Sequence, residues 1–222
     1  MVKPSKPLRG PAGRPRKVPG APTHRKVTEQ IEYNVASNWY HGVNHADGVL
    51  GCPLNLHVTV HWRFAPSSVP EFDRVQHLLN VMGQWLRRRT DSPPVWAYSR
   101  ENGTARTFDG LHLHLLVHVP GGESGGMGKD FIAAVRGWVA GASDDYEDRA
   151  VKSVWIWDKG FASYLLKEGT DRVHDAFGVF AVHRAKRTGY PVPGKRLGLS
   201  HSIQAKARAN HTMPFPAVSS VH

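Results

Sequence analysis

The residue types with the most chemical potential lie in one short stretch, Gly110 to Pro120, where histidines occupy positions 112, 114 and 118. The stretch lacks helical periodicity and is bounded by Gly and Pro, so we predict a β-strand. Alternation places His112 and His114 on one face with Cα atoms roughly 6.6 Å apart, and both imidazoles can then reach one divalent ion. His118 is roughly three times as far from His112. The alternative is a solvent-facing strand whose histidines bind nothing.

A neighbouring strand is predicted to bring a third ligand to the histidine pair. Residues 95–101 read as a strand and are joined to the histidine strand by a glycine-containing loop, which predicts a β-hairpin. A symmetric loop would pair Glu101 with His112 on one sheet face. Asp109 and His57 are alternative third ligands. Two imidazoles and a carboxylate could hold Mg²⁺ or Mn²⁺, and by the Irving–Williams order they would also bind Zn²⁺ or Ni²⁺.

A tyrosine and a lysine share one face of a later predicted helix. Residues 159–168 read as a helix that ends at Gly169, and Tyr164 and Lys167 are three residues apart on it. A phenol has an unperturbed pKa near 10, so a metal or a cation such as Lys167 must make it a better nucleophile. The ordinary alternatives are a half-buried aromatic residue and a surface lysine. Tyr190, which lies among basic residues, is the rival nucleophile.

Hydrophobic periodicity predicts the elements that must position these side chains. Residues 54–64 alternate strictly, and their predicted buried face consists of Leu54, Leu56, Val58, Val60, Trp62 and Phe64. Residues 69–89 carry apolar side chains at helical spacing. Folded structure is expected to begin near residue 27. In chain order the predicted elements are strand 54–64, helix 69–89, strand 95–101, strand 110–120, helix 129–140, strand 151–157, helix 159–168 and the helix-like segment 204–208.

The net charge of +11 is concentrated at the two ends of the 222-residue chain. Residues 1–26 hold eight Lys and Arg and no acid, residues 184–222 hold seven and no acid, and residues 27–183 carry 14 basic against 18 acidic side chains. We predict a disordered basic tail, one domain and a basic C-terminal extension over these three ranges. Basic arms around an acidic body indicate a nucleic acid partner, and the alternative is a basic surface that serves solubility alone.

Seven basic residues of the two arms are predicted to bind DNA. They are Arg14, Arg16, Lys17, Lys195, Arg196, Lys206 and Arg208. Residues 13–17 resemble the core of an AT-hook, a minor-groove peptide, although a general phosphate-binding tail is the simpler interpretation. Phosphate contacts of this kind make affinity fall with salt and read no sequence.

Several classes of protein are excluded or disfavoured by what the sequence lacks. The single cysteine, Cys52, excludes an intramolecular disulfide and a zinc finger of paired cysteines, and it suits an intracellular protein. There is no run of about 18 apolar residues and no apolar stretch behind the basic N-terminus, so we expect no membrane contact and a cytoplasmic location. No G-x-x-x-x-G-K-[ST] motif occurs, which excludes a P-loop helicase within this sequence.

The order of these motifs resembles the HUH endonuclease superfamily, specifically the rolling-circle replication initiators. Strand 54–64, His112-Leu113-His114 and Tyr164-Leu165-Leu166-Lys167 match the family's three motifs in order. The tyrosine follows the histidine pair, as in replication initiators, whereas plasmid-transfer relaxases usually place it first. No second tyrosine shares the face of Tyr164 at four-residue spacing, which favours a single-tyrosine enzyme.

The resemblance implies an α+β fold, an antiparallel sheet with helices packed on it in a ferredoxin-like or RRM-like arrangement. It implies a metal-dependent endonuclease that nicks single-stranded origin DNA, with Tyr164 as nucleophile, Lys167 assisting, and His112, His114 and Glu101 as ligands of Mg²⁺ or Mn²⁺. A 5′-phosphotyrosyl intermediate would leave a free 3′-hydroxyl for a host polymerase, and a host helicase would unwind the duplex. The alternatives are a single-tyrosine transposase of the same superfamily and a non-catalytic RRM-like nucleic-acid-binding module.

Overall fold

The computed structural model describes residues 27–65, 67, 69–103, 110–140, 147–156, 160–185 and 189–211. The strands are β1 (Val27–Thr28), β2 (Leu56–His61), β3 (Trp96–Asn102), β4 (Leu111–Val117), β5 (Val151–Trp155), β6 (Val192–Pro193) and β7 (Leu197–Leu199). The helices are α1 (Tyr33–Gly48), α2 (Glu71–Arg87), α3 (Gly126–Ala140), α4 (Glu147–Ala150), α5 (Phe161–Tyr164), α6 (Asp171–Ala176), α7 (Ala181–Arg184) and α8 (Ala205–Ala209).

Five of the strands form one antiparallel sheet in the order β5-β2-β4-β3-β7, and β1 pairs with β6 in a separate two-stranded sheet. Every pairing in the larger sheet is antiparallel. Helices pack on this sheet, so the predicted α+β fold class is confirmed, and the arrangement is consistent with a ferredoxin-like fold. No helix in the described ranges combines the length and apolar character needed to cross a membrane.

One face of the sheet is apolar because strict alternation puts every second residue of β2 and β4 on it. Val58 and Val60 of β2 lie beside Leu113 and Leu115 of β4, and all four are fully buried. Helices α2 and α3 cover this face with a continuous set of apolar side chains. The larger hydrophobic cluster therefore lies between the sheet and these two helices, as the alternation of β2 and the helical spacing of residues 69–89 predict. The predicted strand 54–64 is too long, because residues 62–64 form a 3₁₀ turn and Leu54 packs in the second cluster.

The opposite face of the sheet is divided between a second apolar cluster and a group of histidines. Helix α1 and residues 160–179 cover one part, where Trp39 and Leu165 pack with Ala97 and Leu116 of the sheet. The other part carries His57 and His61 of β2 and His112 and His114 of β4. Strands β2 and β4 therefore have one apolar face and one face rich in imidazoles.

The element that carries the tyrosine is shorter than the sequence predicts. Only Phe161–Tyr164 is α-helical, and the N–H groups of residues 165–167 donate to carbonyls three residues back, as in 3₁₀ turns. The carbonyl of Leu165 accepts a hydrogen bond from Ser99 Oγ of β3 at 3.2 Å, which ties this tightened turn to the sheet. The prediction of a regular helix over 159–168 is therefore wrong from residue 165 onward, and residues 157–159 lie outside the described ranges.

Several parts of the fold have no counterpart in the predicted elements, and two of them pack directly on the main sheet or its edge strand. Helix α1 lies in a stretch for which the sequence predicts no element, and it packs against β7 and α6. The predicted basic extension, 184–222, contributes β7, which pairs with β3 as an edge strand of the main sheet. The folded body therefore extends past residue 183, and the boundary predicted there does not coincide with the edge of the sheet.

Two glycine substitutions should have opposite effects on the free energy of unfolding. Gly198 lies where β7 packs closely against β3, whereas Gly137 faces solvent. A Cβ added to Gly198 would lie 2.8 Å from Tyr98 Oη and overlap the buried Tyr98 ring, so Gly198→Ala should destabilise the protein by roughly 1–3 kcal/mol. Gly137 is exposed within α3 and a Cβ there meets nothing within 4 Å, so Gly137→Ala should stabilise it by about 0.5–1 kcal/mol. Urea unfolding followed by circular dichroism measures both, and equal midpoints would contradict this packing.

Candidate metal centre and adjoining tyrosine

The β3–β4 hairpin brings Glu101 to the histidine pair. Glu101 pairs with His112 and Ser99 pairs with His114, so the register predicted from a symmetric loop is the one observed. Paired residues in an antiparallel ladder point to the same face. All three candidate ligands therefore lie together on the imidazole-rich face of the sheet.

The nitrogen and oxygen atoms of these residues converge on one point. Glu101 Oε2 lies 3.2 Å from His112 Nε2 and 3.4 Å from His114 Nε2. One ligand atom from each of the three residues lies within 4.8 Å of the other two. Glu101 and His114 are buried and His112 is half-buried. Glu101, His112 and His114 could therefore hold a metal ion, as the sequence predicts.

The outer ring nitrogens of both histidines have partners that orient the rings. His112 Nδ1 lies 2.9 Å from the carbonyl of Gly110, and His114 Nδ1 lies 3.0 Å from His57 Nε2. When His112 binds a metal through Nε2, its ring proton must be on Nδ1, where the Gly110 carbonyl can accept it. The Nε2 lone pair of His112 would then face the point where the ligand atoms converge. His57 is then a supporting residue behind His114, and Asp109, the other alternative ligand, lies outside the described residues.

Two buried atoms at this point show that the donor set fits a cation. Glu101 Oε1 and His114 Nε2 have no solvent exposure and no hydrogen-bond partner. A buried polar atom without a partner costs about 1–3 kcal/mol, and a bound cation would remove that cost. Two imidazole nitrogens and a carboxylate accept several divalent metals, so the donors alone do not specify Mg²⁺, Mn²⁺ or another ion.

The protonation states match those that metal ligands require. Burial acts to raise the pKa of Glu101, but its hydrogen bond with His112, its close contact with His114 and the charge of Lys167 outweigh burial and hold the pKa well below its usual range. Burial lowers the pKa of His114, and burial together with His114 lowers the pKa of His57 to about 3. At neutral pH the carboxylate is therefore ionised, and the imidazoles of His57 and His114 are neutral.

Lys167 connects this ligand group to Tyr164. Its Nζ forms an ion pair with Glu101 Oε2 and lies 3.3 Å from Tyr164 Oη. Lys167 is only 4% exposed, so its charge acts in a poorly solvated environment. A cavity of about 530 Å³ is lined by the three ligand residues, by Tyr164 and Lys167, and by His57, Thr59, His61, Val154 and Phe161. The predicted nucleophile and the predicted metal ligands thus face one cavity.

Three further residues around the site were not predicted as part of it. Thr59 Oγ1 lies 3.3 Å from both His57 Nε2 and His114 Nδ1, and the His61 ring stacks on His112 with centroids 5.3 Å apart. His183 of α7 contacts the Tyr164 ring at 5.0 Å between centroids. The alternation of β2 does place residues 57, 59 and 61 on one face, but only the β2–β4 register brings that face beside His112 and His114.

The predicted DNA-binding residues lie away from the ligand group or outside the described ranges. Arg14, Arg16 and Lys17 fall in residues 1–26, which the structure does not describe. Lys195 and Lys206 are exposed and line a separate groove of about 1330 Å³ at the β7 edge, together with Trp96. Arg208 is half-buried and donates to Ile203 O and Asn38 Oδ1.

Arg196 requires a correction, because it does not present its guanidinium to solvent. The residue is 2% exposed, and its N–H groups donate to the backbone carbonyls of Thr28, Glu29, Arg100 and Tyr190. These bonds join β7 to the segment that contains β1 and to the loop before β6. Arg196 is therefore a structural residue, and the prediction that it contacts phosphate is wrong for this fold.

Comparisons with known proteins do not add to this description. No protein-family model, no curated protein and no solved structure matches the chain.

Substitutions of His112 and His118 should differ greatly in their effect on metal affinity, because only His112 belongs to the converging ligand group. His112→Ala removes one converging nitrogen and should weaken Mn²⁺ binding by more than about tenfold. His118→Ala is the matched control, since His118 Nδ1 contacts the carbonyl of Pro53 at 2.8 Å instead. Isothermal titration calorimetry of the two variants and the wild type measures the difference. Equal Mn²⁺ affinity in all three would contradict the assignment of this site.

Proposed function

We propose that this protein is a metal-dependent endonuclease that cleaves single-stranded DNA through Tyr164. The reaction is that of a replication initiator of the HUH endonuclease type, in which a strand is nicked, held covalently and later rejoined. The substrate class is supported by the net charge of +11 and by the exposed basic residues that line the β7 groove.

The observation that carries this proposal is the chain of contacts from Tyr164 to the ligand group. Tyr164 Oη lies 3.3 Å from Lys167 Nζ, and the same Nζ forms an ion pair with Glu101, one of the three residues that could hold a metal. A structural tyrosine would not need a buried cation at its hydroxyl. A nucleophilic one does, because Lys167 stabilises the phenolate that must form.

The proposed step is attack of Tyr164 Oη on a phosphorus of the DNA backbone. The bond between Tyr164 oxygen and phosphorus forms, and the bond between phosphorus and the 3′-oxygen breaks. The phenol loses its proton and the departing 3′-oxygen takes one up, so the step conserves protons. A divalent ion held by Glu101, His112 and His114 would polarise the scissile phosphate as a Lewis acid.

The proposed product explains how nicking can serve replication. The phosphotyrosyl bond keeps the energy of the broken phosphodiester, so the strand can later be rejoined without another energy source. The free 3′-hydroxyl is a primer for a polymerase. Since the sequence has no P-loop motif, unwinding is assigned to a host helicase.

The RRM-like binding module is less well supported by the arrangement of the sheet. Such a module binds nucleic acid on an open sheet face with stacking aromatics. In this fold α2 and α3 cover one face, and α1 with residues 160–179 covers part of the other. The remaining area carries buried imidazoles and a carboxylate, which suit a cation better than a stacked base.

A covalent-adduct assay tests the proposed reaction. Pools of single-stranded oligonucleotides labelled at the 3′ end, incubated with protein and Mn²⁺, should yield a labelled protein band on a denaturing gel, since the downstream fragment stays attached. Tyr164→Phe should abolish the band, and the His112→Ala/His114→Ala double variant should reduce it at least about 10²-fold, because the metal is lost. Tyr190→Phe is the matched control and should retain it.

Two results would contradict the proposal. A band that survives Tyr164→Phe and disappears with Tyr190→Phe would transfer the nucleophile to Tyr190. Salt-sensitive binding of the same oligonucleotides without any adduct, in Mn²⁺ or Mg²⁺, would favour the binding module.

A further inference from the structure

Tyr164 lies in the middle of a continuous row of five aromatic rings. In spatial order the rings belong to His57, Phe161, Tyr164, His183 and Phe180. Successive centroids are 4.6, 5.6, 5.0 and 6.0 Å apart. The row begins at His57, which stacks on the ligand residue His114, and it ends at Phe180, directly before α7.

The outer end of this row is unusually exposed for its residue types. Phe180 is 65% exposed and Val182, two residues further on, is 61% exposed. Val154 of β5 is 60% exposed. Isolated exposed apolar residues are common, but Val154 lines the cavity that contains the proposed nucleophile, and Phe180 is joined to Tyr164 through the ring of His183.

Several specific contacts hold the α7 segment in place. Gly178, with φ +63°, makes the turn out of α6, and Ser163 Oγ donates to the carbonyl of Phe177 at 2.9 Å. Arg184 donates from Nε to the carbonyl of Val179 and pairs with Asp175 at 2.8 Å. The exposed ring therefore projects from an anchored segment, so a ligand that packs on it need not first order the segment.

The charges near the row suit a polyanion that carries flat, apolar bases. Lys152 of β5 is exposed and pairs with Thr59, so it lies on the imidazole-rich face of the sheet. A basic side chain on the imidazole-rich face and an exposed aromatic ring in the row that leads to Tyr164 are two features by which proteins hold single strands without reading their sequence.

We infer that Phe180 and His183 form a stacking subsite for an unpaired nucleobase of the DNA strand, next to the phosphate that Tyr164 attacks. This inference rests on the proposed function, since it takes single-stranded DNA as the ligand. It adds a positioning role for α7. A base stacked on Phe180 fixes the strand on the outer side of Tyr164, so that the backbone crosses the cavity in front of the phenol.

Equilibrium binding to strands with and without bases tests this subsite. The probes are fluorescein-labelled dA12 and a 12-residue abasic strand, measured by anisotropy in EDTA so that no cleavage occurs. Wild-type protein should bind dA12 at least about tenfold more tightly than the abasic strand, because stacking contributes to one of them only. Phe180→Ala should weaken dA12 binding about tenfold and leave the abasic strand within about twofold.

Matched variants separate stacking from apolar area and from folding. Phe180→Trp keeps an aromatic face and should retain the preference for dA12, whereas Phe180→Leu keeps apolar area without a π-face and should lose it. Val69→Ala alters another exposed apolar residue, 47% exposed, which lines neither the β7 groove nor the cavity of Tyr164, and it should change neither affinity. Circular dichroism and thermal unfolding confirm that each variant is folded.

The outcomes distinguish this inference from the proposed function. If Phe180→Ala binds dA12 like the wild type, or loses affinity for both strands equally, the subsite is wrong even when adducts still form. The subsite is also wrong if wild-type protein binds dA12 no better than the abasic strand. A base preference that depends on Phe180 without any covalent adduct would support the subsite and count against the nuclease.

Discussion

The buried ion pair between Glu101 and Lys167 is the interaction on which the site depends. Glu101 is 3% exposed and Lys167 4%, and neither charge would be tolerated there alone, since each ion loses several kcal/mol of hydration on burial. The pair joins the middle of the sheet to the turn that follows Tyr164. His174 strengthens the same junction, because its Nε2 lies 2.9 Å from the carbonyl of Lys167. The tyrosine is therefore positioned through the charge beside it.

The sheet makes this concentration of polar groups possible by separating its two faces. Alternating residues of β2 and β4 give an apolar face that α2 and α3 cover, which supplies most of the buried apolar area. The second face is then free to carry His57, Thr59, His112 and His114 in register. Because the side chains stand on paired strands, their relative positions are set by backbone hydrogen bonds, which holds ligands more precisely than a loop would.

The sequence was most informative where a single local rule determines the outcome. Alternation predicted the β2 and β4 faces, helical spacing predicted α2 and α3, and a symmetric hairpin predicted the pairing of Glu101 with His112. The prediction was weaker where distant segments meet. The tightened turn after Tyr164 is tied to the sheet by the hydrogen bond from Ser99 to Leu165, and Arg196 is buried because β7 pairs with β3. Neither partner is visible in the local sequence, so the basic composition of residues 184–222 wrongly predicts a solvent-exposed arm around Arg196.

We expect Glu101, His112 and His114 to bind one metal ion beside Tyr164. Anomalous diffraction from crystals soaked in MnCl₂, collected at the manganese edge, tests it most directly. We expect one peak at coordination distance from a Glu101 carboxylate oxygen and from Nε2 of both His112 and His114, in the cavity that Tyr164 lines. An absent peak at saturating MnCl₂, or a peak bound by His57 and His61 instead, would contradict the account.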